Sequence, residues 1–404
     1  MKQKVLLVNK FYYPRGGDCV VTMNLERLLR DRGHETAVYA MRYPDNVPAE
    51  YDRYFAPQVS FGGGIGTRLR AVARTLGVGD IRTSFGRILD DFRPDVVHLN
   101  NIHSYLSPVL ALMAHRRGIR VVWTLHDYKL LCPSYSCQKN GVPCQDCAVR
   151  GKSGVLRNRC MKGSLAASAI AWLEALRWNR RVLERNTDVF VCPSRFMARS
   201  MQKAGFDVSK LVVNCNFVDS AKMEALASAP AAHREDYCCY IGRLSEEKGV
   251  RTMLRAAAMR PELRMKVAGD GPLADELRAE YASAPNIEFV GRLDAAGVTE
   301  LCSRARFSVL VSDCYENNPL GAIESLCMGT PVIGSDMGGI PELIEPGTTG
   351  LIVPAGDPDA LARAMDSAAA HPWDHRAIAD AARTRFSADT HYKTLIDVYN
   401  PTFL

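Results

Sequence analysis

Residues 312–324 read SDCYENNPLGAIE and follow the apolar run Phe307–Val311, which is typical of a buried strand. Asn318 is a favourable residue to cap a helix N-terminus, and Pro319 is favourable at the first helical position. The stretch therefore predicts a strand, a short loop and a helix over Leu320–Met328. Open α/β sheets bind ligands beyond the carboxyl ends of their strands, so this loop is a candidate binding loop.

The two glutamates of this stretch are predicted to occupy different positions. Glu316 lies on the loop, whereas Glu324 lies one to two turns into the helix; if both were helical, about 12 Å would separate them. That separation suits contacts with two parts of one extended ligand rather than a shared proton. A helical carboxylate can accept from two vicinal hydroxyls, and backbone N–H groups near Leu320 and Gly321 can face a phosphate or a sugar.

Short apolar runs of the same kind recur along the whole chain, with helical patterns between them. Near-continuous apolar runs are expected of parallel strands that are buried on both faces. The predicted strands are Val5–Asn9, Glu35–Ala40, Asp95–Asn100, Arg120–Leu125, Val189–Pro193, Leu211–Asn214, Tyr237–Ile241, Arg264–Ala268, Ile287–Val290, Phe307–Val311, Pro331–Gly334 and Leu351–Val353. This alternation predicts the α/β class, with two doubly wound, Rossmann-like domains in tandem.

A small-residue stretch that contains proline, Ala225–Ala232, is typical of a linker between domains. We therefore expect an N-terminal domain over residues 1–219, a second domain over residues 220–386 and a C-terminal helix over residues 387–404. Two doubly wound domains that face each other would form a cleft, and candidate residues would lie on loops that follow strands.

The composition is that of an ordinary globular protein, since 47% of the 404 residues are hydrophobic and 24% are charged. No apolar run reaches the roughly 20 residues that a membrane-spanning helix needs. The run at Val5–Val8 is too short for a signal peptide, so we expect a cytoplasmic protein. The net charge of +7 is uneven, because nine Lys or Arg and two acidic residues fall between Ala148 and Arg185. Such a surface suits phosphates, anionic lipid or nucleic acid, and is equally compatible with a solvated face.

A glycine pair follows the first predicted strand. Residues 11–17 read FYYPRGG and precede a predicted helix over Val20–Arg32. Gly16 and Gly17 would let the backbone pass close to a ligand, and a helix N-terminus attracts phosphate. A tight turn without any ligand has the same sequence signature, so the pair alone is weak evidence.

A basic loop follows the first predicted strand of the second half. Residues 240–249 read YIGRLSEEKG, in which Arg243 and Lys248 stand across a turn that can aim both cations at one point. Two cations together with helix N–H groups suit a diphosphate. Solvated surface charge is the alternative reading of the same residues.

Taken together, these motifs resemble the retaining glycosyltransferases of family four, which have the GT-B fold of two Rossmann-like domains facing a central cleft. The resemblance covers most of the chain. It rests on the glutamate pair and on the segments Gly242–Gly249, Ala268–Leu273, Gly329–Ser335 and Gly338–Glu342.

The resemblance implies a role for each candidate residue. Arg243 and Lys248 would hold the diphosphate of a UDP or GDP sugar, Glu324 the ribose hydroxyls, and Glu316 the transferred sugar. The other donor-binding residues would be Gly16, Gly17, Asn318, Pro319, Leu320 and Gly321. No catalytic metal ion is expected, and the acceptor would be a glycan or a lipid-linked glycan of polysaccharide biosynthesis. The last helix would cross back onto the N-terminal domain.

Two histidines follow predicted strand ends in the first half. His126, in the sequence TLHD, matches the position of a family histidine that lines the sugar site and is the fourth candidate catalytic residue beside Glu316, Arg243 and Lys248. His103 is a weaker candidate for the cleft. Either histidine can instead be structural.

Five of the thirteen cysteines cluster in residues 132–160, whereas most of the others stand singly in apolar runs. The spacing of Cys132, Cys144, Cys147 and Cys160 contains a Cys-x2-Cys unit and predicts a structural zinc site, with Cys137 as a possible fifth member. An iron–sulfur cluster and reduced or disulfide-linked cysteines remain open as alternatives. The loop is expected to shape the acceptor side of the cleft.

Two stretches combine apolar residues with arginines, Ala166–Glu184 and Ile65–Leu76. Such helices can lie on an anionic membrane surface, which would place the protein peripherally on the inner face of the plasma membrane. They can equally pack on the N-terminal sheet.

The main alternative functions are an NAD-type oxidoreductase and a non-catalytic protein that binds anionic ligands. An NAD-type oxidoreductase is expected to have a Gly-x-Gly-x-x-Gly turn after strand one, and this chain lacks that turn. The second leaves the two glutamates without a role, and nucleic acid is not expected as a partner. A glycogen synthase or a glycan phosphorylase is a nearer alternative.

Overall fold

The computed structural model describes residues 2–228 and 234–400. The chain forms two compact units. The first comprises Met1–Asn140, Cys144–Cys215 and Tyr392–Leu404, and the second comprises Gly141–Pro143 and Asn216–His391. Within the described residues, no helix is both long enough and apolar enough to cross a bilayer.

The first unit contains a six-stranded parallel sheet with the order β2-β1-β3-β4-β5-β6. Its strands are almost wholly buried and rich in β-branched residues, as expected for a sheet covered on both faces. They are β1 (Lys4–Val8), β2 (Glu35–Tyr39), β3 (Val96–Leu99), β4 (Arg120–Thr124), β5 (Val189–Cys192) and β6 (Leu211–Val213).

The second unit contains another six-stranded parallel sheet, with the order β9-β8-β7-β10-β11-β12. This is the Rossmann order, in which the third, second and first strands precede the fourth to sixth. The strands are β7 (Tyr237–Ile241), β8 (Arg264–Ala268), β9 (Ile287–Gly291), β10 (Ser308–Leu310), β11 (Val332–Ser335) and β12 (Gly350–Val353). The predicted fold class, two doubly wound α/β units, is confirmed.

The helices of the first unit are α1 (Gly17–Asp31), α2 (Ile65–Thr75), α3 (Ile81–Phe92), α4 (Val109–His115), α5 (Asp146–Val149), α6 (Gly154–Arg157), α7 (Leu165–Arg177), α8 (Arg180–Arg185) and α9 (Arg195–Lys203). A 3-10 turn at Asp52–Tyr54, another at Val208–Lys210 and a two-residue strand at Gln138–Lys139 complete this unit, whereas a two-residue strand at Val142–Pro143 is assigned to the second. Helix α9 shows how such a helix begins, because Ser194 Oγ accepts a hydrogen bond from Met197 N–H at 3.1 Å and so caps the N-terminus.

The second unit has helices α10 (Ser220–Ser228), α11 (Val250–Ala258), α12 (Ala274–Glu280), α13 (Ala295–Arg304), α14 (Leu320–Cys327), α15 (Pro358–Ala370) and α16 (His375–Arg385), followed by α17 (Ala388–Tyr399). Two 3-10 turns lie at Glu246–Lys248 and Ile340–Glu342. From Tyr392 on, α17 belongs to the first unit. There the hydroxyl of Tyr399 is 2.6 Å from Nδ1 of His98 on β3, and Leu395 packs into the same core.

Two expectations about helices are wrong. The predicted linker begins inside a helix, since Ala225–Ser228 form the end of α10, while residues 229–233 lie outside the described part. The stretch Ala166–Glu184 is two helices rather than one. Trp178 is buried and donates from Nε1 to the Thr75 carbonyl at 2.8 Å, and Asn179 caps the next helix by accepting from Val182 N–H.

Candidate active site

In the second sheet the strand order reverses beside β7 and β10, which is where open α/β sheets bind ligands. The loop after β7 ends in the 3-10 turn that carries Lys248, and the loop after β10 carries Glu316. The Lys248 ammonium forms an ion pair with Oε1 of Glu316. Two residues predicted on separate loops are thus brought together at the expected end of the sheet.

The position of Glu316 is fixed by its neighbours. Ser312 Oγ donates to Glu316 Oε1 at 2.8 Å, and the N–H of Gly339 donates to the Glu316 carbonyl at 2.7 Å. Gly338 has a φ of +62°, and a Cβ there would lie 2.1 Å from the same carbonyl oxygen. The glycine pair 338–339 therefore allows a close backbone approach that orients Glu316 toward Lys248.

Both members of this ion pair are partly buried, with 29% of the Lys248 side chain and 16% of the Glu316 side chain exposed. Burial lowers the pKa of Lys248, but the field of Glu316 and its hydrogen bond outweigh burial and raise that pKa above its ordinary value. Burial also raises the pKa of the neighbouring Cys314 thiol to about 12. Lys248 is therefore protonated and positively charged near pH 7, and solvent or a ligand can reach its partly exposed side chain.

Helix α11 starts immediately after this loop because Gly249 adopts a left-handed conformation. Its φ is +65°, and a Cβ would lie 1.9 Å from the Val311 carbonyl oxygen. Tyr240 supports the other side of the loop, with its hydroxyl donating to the Arg243 carbonyl at 2.8 Å. The Arg243 side chain is exposed. The loop is therefore rigid in its backbone and keeps a cation at its surface.

The second glutamate has a partner that the sequence reading missed. Glu324 is the fifth residue of α14, as expected, and its Oε1 forms an ion pair with the Lys222 ammonium on α10. Only 16% of the Glu324 side chain is exposed, against 36% of Lys222. A signal was present, because residues 221–227 are nearly all strong helix formers.

Asn318 does not cap the helix as predicted, because Pro319 occupies the residue before Leu320. Asn318 is buried, and its Oδ1 accepts from Asn216 N–H at 2.8 Å while its carbonyl accepts from Asn216 Nδ2 at 2.7 Å. The tie to Asn216 replaces the cap. Gly321, in the first turn of α14, is exposed, so the helix N-terminus is open to a ligand.

In the first unit, the sheet order reverses beside β1 and β3, and the loops after these strands are bonded together. Asn101 N–H donates to Asn9 Oδ1 at 3.0 Å, and Asn101 Nδ2 donates to Asp18 Oδ2 at 3.0 Å. Helix α1 begins three residues earlier than predicted, at Gly17, and both Gly16 and Gly17 are exposed. The glycine pair therefore forms the very start of a helix at a ligand-binding edge.

His126 follows β4 and is held by the residue that follows β3. Its Nε2 is 2.9 Å from Oδ1 of Asn100, a buried residue. Burial lowers the pKa of His126 to about 4, and burial raises the pKa of the adjacent Asp127. His126 is therefore a neutral imidazole near pH 7, suited to hydrogen bonds with hydroxyl groups.

His103 is also buried, and it stacks on Trp123 with ring centroids 5.2 Å apart. Burial lowers its pKa well below the ordinary value, so this histidine is neutral as well. At these two histidines the first unit presents neutral imidazoles, whereas at Lys248 and Glu316 the second unit presents paired charges.

The family of the chain follows from its sequence matches. Residues 15–222, more than half of the 404 residues, match Glycosyltransferase Family 4, and residues 222–385 match Glycosyl transferases group 1. The chain belongs to glycosyltransferase family 4. The resemblance inferred from the motifs is therefore confirmed.

Curated relatives of this family 4 chain have several activities. A glycogen synthase of Mycobacterium tuberculosis is 30% identical over 53% of this chain and 53% of its own length. An uncharacterized 42.6 kDa protein in the cps region of Klebsiella pneumoniae is 24% identical over 84% of this chain and 87% of its own. A GDP-mannose-dependent alpha-mannosyltransferase of M. tuberculosis is 29% identical over 89% and 87%. The chain thus spans about half the length of the glycogen synthase that it matches.

Solved structures agree with the family 4 chain in fold. Anabaena HepE in complex with UDP superposes with a TM-score of 0.64 at 18% identity, covering 98% of both chains. The lipopolysaccharide outer core galactosyltransferase WaaB superposes with a TM-score of 0.66 at 16% identity, again over 98% of both chains. At these identities the likeness establishes the GT-B fold alone.

The cysteines of this family 4 chain divide into two groups, and all thirteen are free. Cys192, Cys238, Cys239 and Cys327 are fully buried core residues, as expected. In the insertion, hydrogen bonds from the thiols of Cys137 and Cys147 lower the pKa of Cys132 in spite of its burial. Among the described residues, no group of three or more His, Cys, Asp or Glu is arranged to hold a metal ion. The zinc site at Cys132, Cys144, Cys147 and Cys160 therefore stays a prediction.

Proposed function

We propose that the protein is a retaining glycosyltransferase that moves a sugar from a nucleoside-diphosphate donor to a glycan or lipid-linked glycan during polysaccharide biosynthesis. The observation that carries the proposal is the meeting of Lys248 and Glu316 at the strand-order reversal of the second sheet. Membership of family 4 and the UDP bound by HepE support the same reaction class.

The proposed donor site assigns one task to each group. Lys248 and Arg243 neutralise the negative charge that develops on the departing diphosphate, which is where fixed charges contribute most to catalysis. The N–H groups at the start of α14, at Leu320 and Gly321, and those at Gly16 and Gly17 offer further anion contacts. Because the diphosphate competes for Lys248, donor binding weakens its ion pair with Glu316 and releases that carboxylate for the sugar hydroxyls.

Two carboxylates and a histidine would position the donor. Glu324, on the first turns of α14, accepts from the ribose hydroxyls while its ion pair with Lys222 holds the carboxylate in position. His126 is neutral near pH 7, because burial lowers its pKa to about 4, and hydrogen-bonds a hydroxyl of the transferred sugar. Asn318 and Pro319 hold the loop that carries Glu316. No catalytic metal ion takes part in this scheme.

The choice between UDP and GDP donors is open to direct measurement. HepE was solved with UDP, whereas the mannosyltransferase relative is GDP-mannose-dependent. A panel of UDP, GDP and dTDP sugars should give thermal stabilisation and transfer with one base class. NMR of the product should show the anomeric configuration of the donor; an inverted product would refute the retaining mechanism.

The Lys248→Ala variant tests the site itself. Transfer should fall by on the order of 100-fold, since one preorganised group at a developing charge is removed. Thermal unfolding should stay near wild type. Lys266→Ala is the matched control, because Lys266 lies within β8 of the same unit and should leave transfer unchanged. Full activity of Lys248→Ala would refute the assignment.

Peripheral membrane binding is a separate proposal, supported by exposed apolar residues among arginines. On α2, Ile65 and Leu69 are 79% and 65% exposed beside exposed Arg68 and Arg70. Trp178 does not contribute, because it is buried. Flotation with liposomes that contain anionic lipid should show salt-sensitive binding, and Ile65→Asp should weaken it; salt-independent or absent binding would refute this role.

Structural zinc in the insertion is proposed from the cysteine spacing alone. The described side chains are not arranged as a metal site, so no step of the reaction is assigned to it. Elemental analysis of protein purified without added metal should give close to one zinc per chain if the site exists; iron in its place would indicate a cluster.

A further inference from the structure

The first unit contains a pocket of about 270 Å³ that none of the donor residues line. The insertion forms one wall with Cys147, Ala148, Val149, Gly151 and Lys152, and the ends of α7 and α8 form another with Ala175, Leu176 and Arg180. His103 and Lys129 lie at its inner end. Because these two residues follow β3 and β4, the pocket lies at the ligand-binding edge of the first sheet.

A buried ion pair lies in this pocket. The Lys129 ammonium is 2.8 Å from Oε2 of Glu174, and these side chains are only 6% and 5% exposed. Lys129 also donates to the Pro133 carbonyl at 2.7 Å, and Ser104 N–H donates to Glu174 Oε1 at 3.0 Å. The pair is thus held in place by the backbone on both sides.

A second ammonium group lines the same pocket. Lys152 donates to the carbonyls of Leu130 and Leu131 at 3.0 and 2.5 Å. An ammonium group has three protons, and two acceptors are named for each of the two lysines, so each can offer one more hydrogen bond. Burial lowers the pKa of Lys152, which indicates that its charge is costly in this environment.

The charges that line the pocket do not balance. Lys129 pairs with Glu174, and Arg180, which is 42% exposed, pairs with Glu184 at 3.1 Å. Among the described residues, Lys152 is therefore the lining cation that has no carboxylate partner. His103 is neutral. Because a buried charge without a partner costs free energy, an anionic group that enters here gains both ion pairing and the remaining ammonium protons.

The rest of the lining is apolar and continues onto the surface. Pro108, Trp178 and Phe206 form inner walls. At the opening, Val149 is 68% exposed and Leu176 is 47% exposed, although both line the pocket. Leu173, which is 46% exposed, lies three residues before Leu176 on the same face of α7. An apolar chain leaving the pocket therefore meets apolar surface instead of water.

We propose that this pocket binds the phosphate end of a lipid phosphate, with the apolar chain passing out over Val149 and Leu176. The inference rests on the proposed function, and of its two acceptors, a glycan and a lipid-linked glycan, it selects the lipid-linked one. The volume is just below the roughly 300 to 1,000 Å³ of ordinary ligand sites, so only the headgroup and first carbons fit inside. The insertion is then an acceptor-binding element, because it supplies both Lys152 and Val149.

Binding of three soluble probes to the full chain tests the proposal: dodecyl phosphate, dodecanol and inorganic phosphate, each below any micelle concentration. Dodecyl phosphate should bind at least tenfold more tightly than either of the others. Equal binding of inorganic phosphate would mean a simple anion site, and equal binding of dodecanol would mean an apolar cavity; either result overturns the proposal.

Two variants locate the binding. Ala175→Trp places a large side chain in the pocket and should weaken dodecyl phosphate binding at least tenfold. Ala166→Trp, on an exposed position of the same helix, is the matched control and should leave it unchanged. Val149→Asp, at a 68% exposed position that carries little folding risk, should also weaken binding. Unaltered binding in both Ala175→Trp and Val149→Asp refutes the site.

Binding of UDP and GDP, measured on the same proteins, separates this inference from the proposed function. The Ala175→Trp variant should retain the wild-type affinity for whichever nucleotide binds. Failure of dodecyl phosphate to bind a protein that still binds nucleotide overturns the lipid-phosphate pocket alone. Failure of every nucleotide to bind overturns the donor site instead.

Discussion

Each unit contains its own six-stranded parallel sheet, and the Lys248–Glu316 site of the second unit differs in charge from the histidine site of the first. In the second unit, the reversal of strand order brings together Lys248 and Glu316, and their mutual field raises the pKa of the lysine. In the first unit, burial lowers the pKa values of His126 and His103, so both imidazoles are neutral near pH 7. A common scaffold therefore leaves local burial and pairing to decide the electrostatics.

This difference corresponds to two kinds of ligand group. A charged pair that is partly open to solvent can exchange its internal partner for a diphosphate at little desolvation cost. Buried neutral donors and acceptors favour hydroxyl groups, because they do not require a counter-ion. The Lys248–Glu316 site is thus suited to an anionic group such as a diphosphate, and the histidine site of the first unit is suited to hydroxyl groups.

The largest effect is expected of Glu316→Gln, which keeps the shape of the side chain and removes its charge, and so tests the charged site of the second unit. Transfer turnover should fall on the order of 100-fold, because the group proposed to hold the sugar is lost. Affinity for the nucleotide should stay equal or increase, because Lys248 is no longer neutralised. Kinetics and calorimetric titration with UDP and GDP would check this; weaker nucleotide binding would contradict it.

A smaller effect is expected at the outer ion pair. Lys222→Ala leaves Glu324 without its partner, so the KM for the donor should rise by roughly tenfold, the usual scale for one charged hydrogen bond. Turnover should change little, since Lys222 is not near the proposed leaving group. Arg278→Ala, which removes an exposed cation of the same unit, is the control. A change in turnover alone would exclude a positioning role for Lys222.

The neutral state of His126 in the first unit should affect how the free energy of unfolding depends on pH. His126 has a folded pKa of about 4 and an ordinary value of 6.5, so between these values the unfolded chain binds more protons. Stability should therefore fall as pH drops from about 6.5 to about 4. Urea unfolding of His126→Gln should show a shallower loss over the same window; an unchanged pH slope would contradict the neutral imidazole.

The smallest effect is expected where α17 is fixed to the first sheet. Tyr399→Phe removes the hydroxyl that is 2.6 Å from His98 Nδ1 and should cost about 1 kcal/mol in the free energy of unfolding. Lys393→Ala, at an exposed position of the same helix, should cost less. A shift in the urea midpoint without a change in slope would check it, and no shift would mean that water replaces the hydroxyl.

The strands and the two-unit plan could be predicted because buried parallel strands leave continuous apolar runs in the sequence. All twelve predicted strands are present, and their ends differ by one residue where they differ at all. Lys248 and Glu316 could be predicted as candidate site residues for the same reason, because each follows such an apolar run. The loops that carry Lys248 and Glu316 are neighbours because β7 and β10 are adjacent in the sheet. The sequence indicates this strand order only through the family resemblance.

What could not be predicted depends on the tertiary path of the chain. The pairing of Lys222 with Glu324 was missed because it joins residues 102 apart, and the sequence does not show that α10 lies beside α14. The break between α7 and α8 follows from the burial of Trp178 against the Thr75 carbonyl, a contact across about a hundred residues. In the insertion, Cys137 was named as a possible fifth member of the cysteine cluster, but the spacing does not show which thiols are hydrogen-bonded to each other.

The two glycines beside the Lys248–Glu316 pair limit how the enzyme can be redesigned. A side chain at position 249 would collide with the Val311 carbonyl, and one at position 338 with that of Glu316. A library built to change sugar preference should therefore hold both positions constant. Variation is better placed at exposed Gly321, where an added Cβ would have no atom within 4 Å.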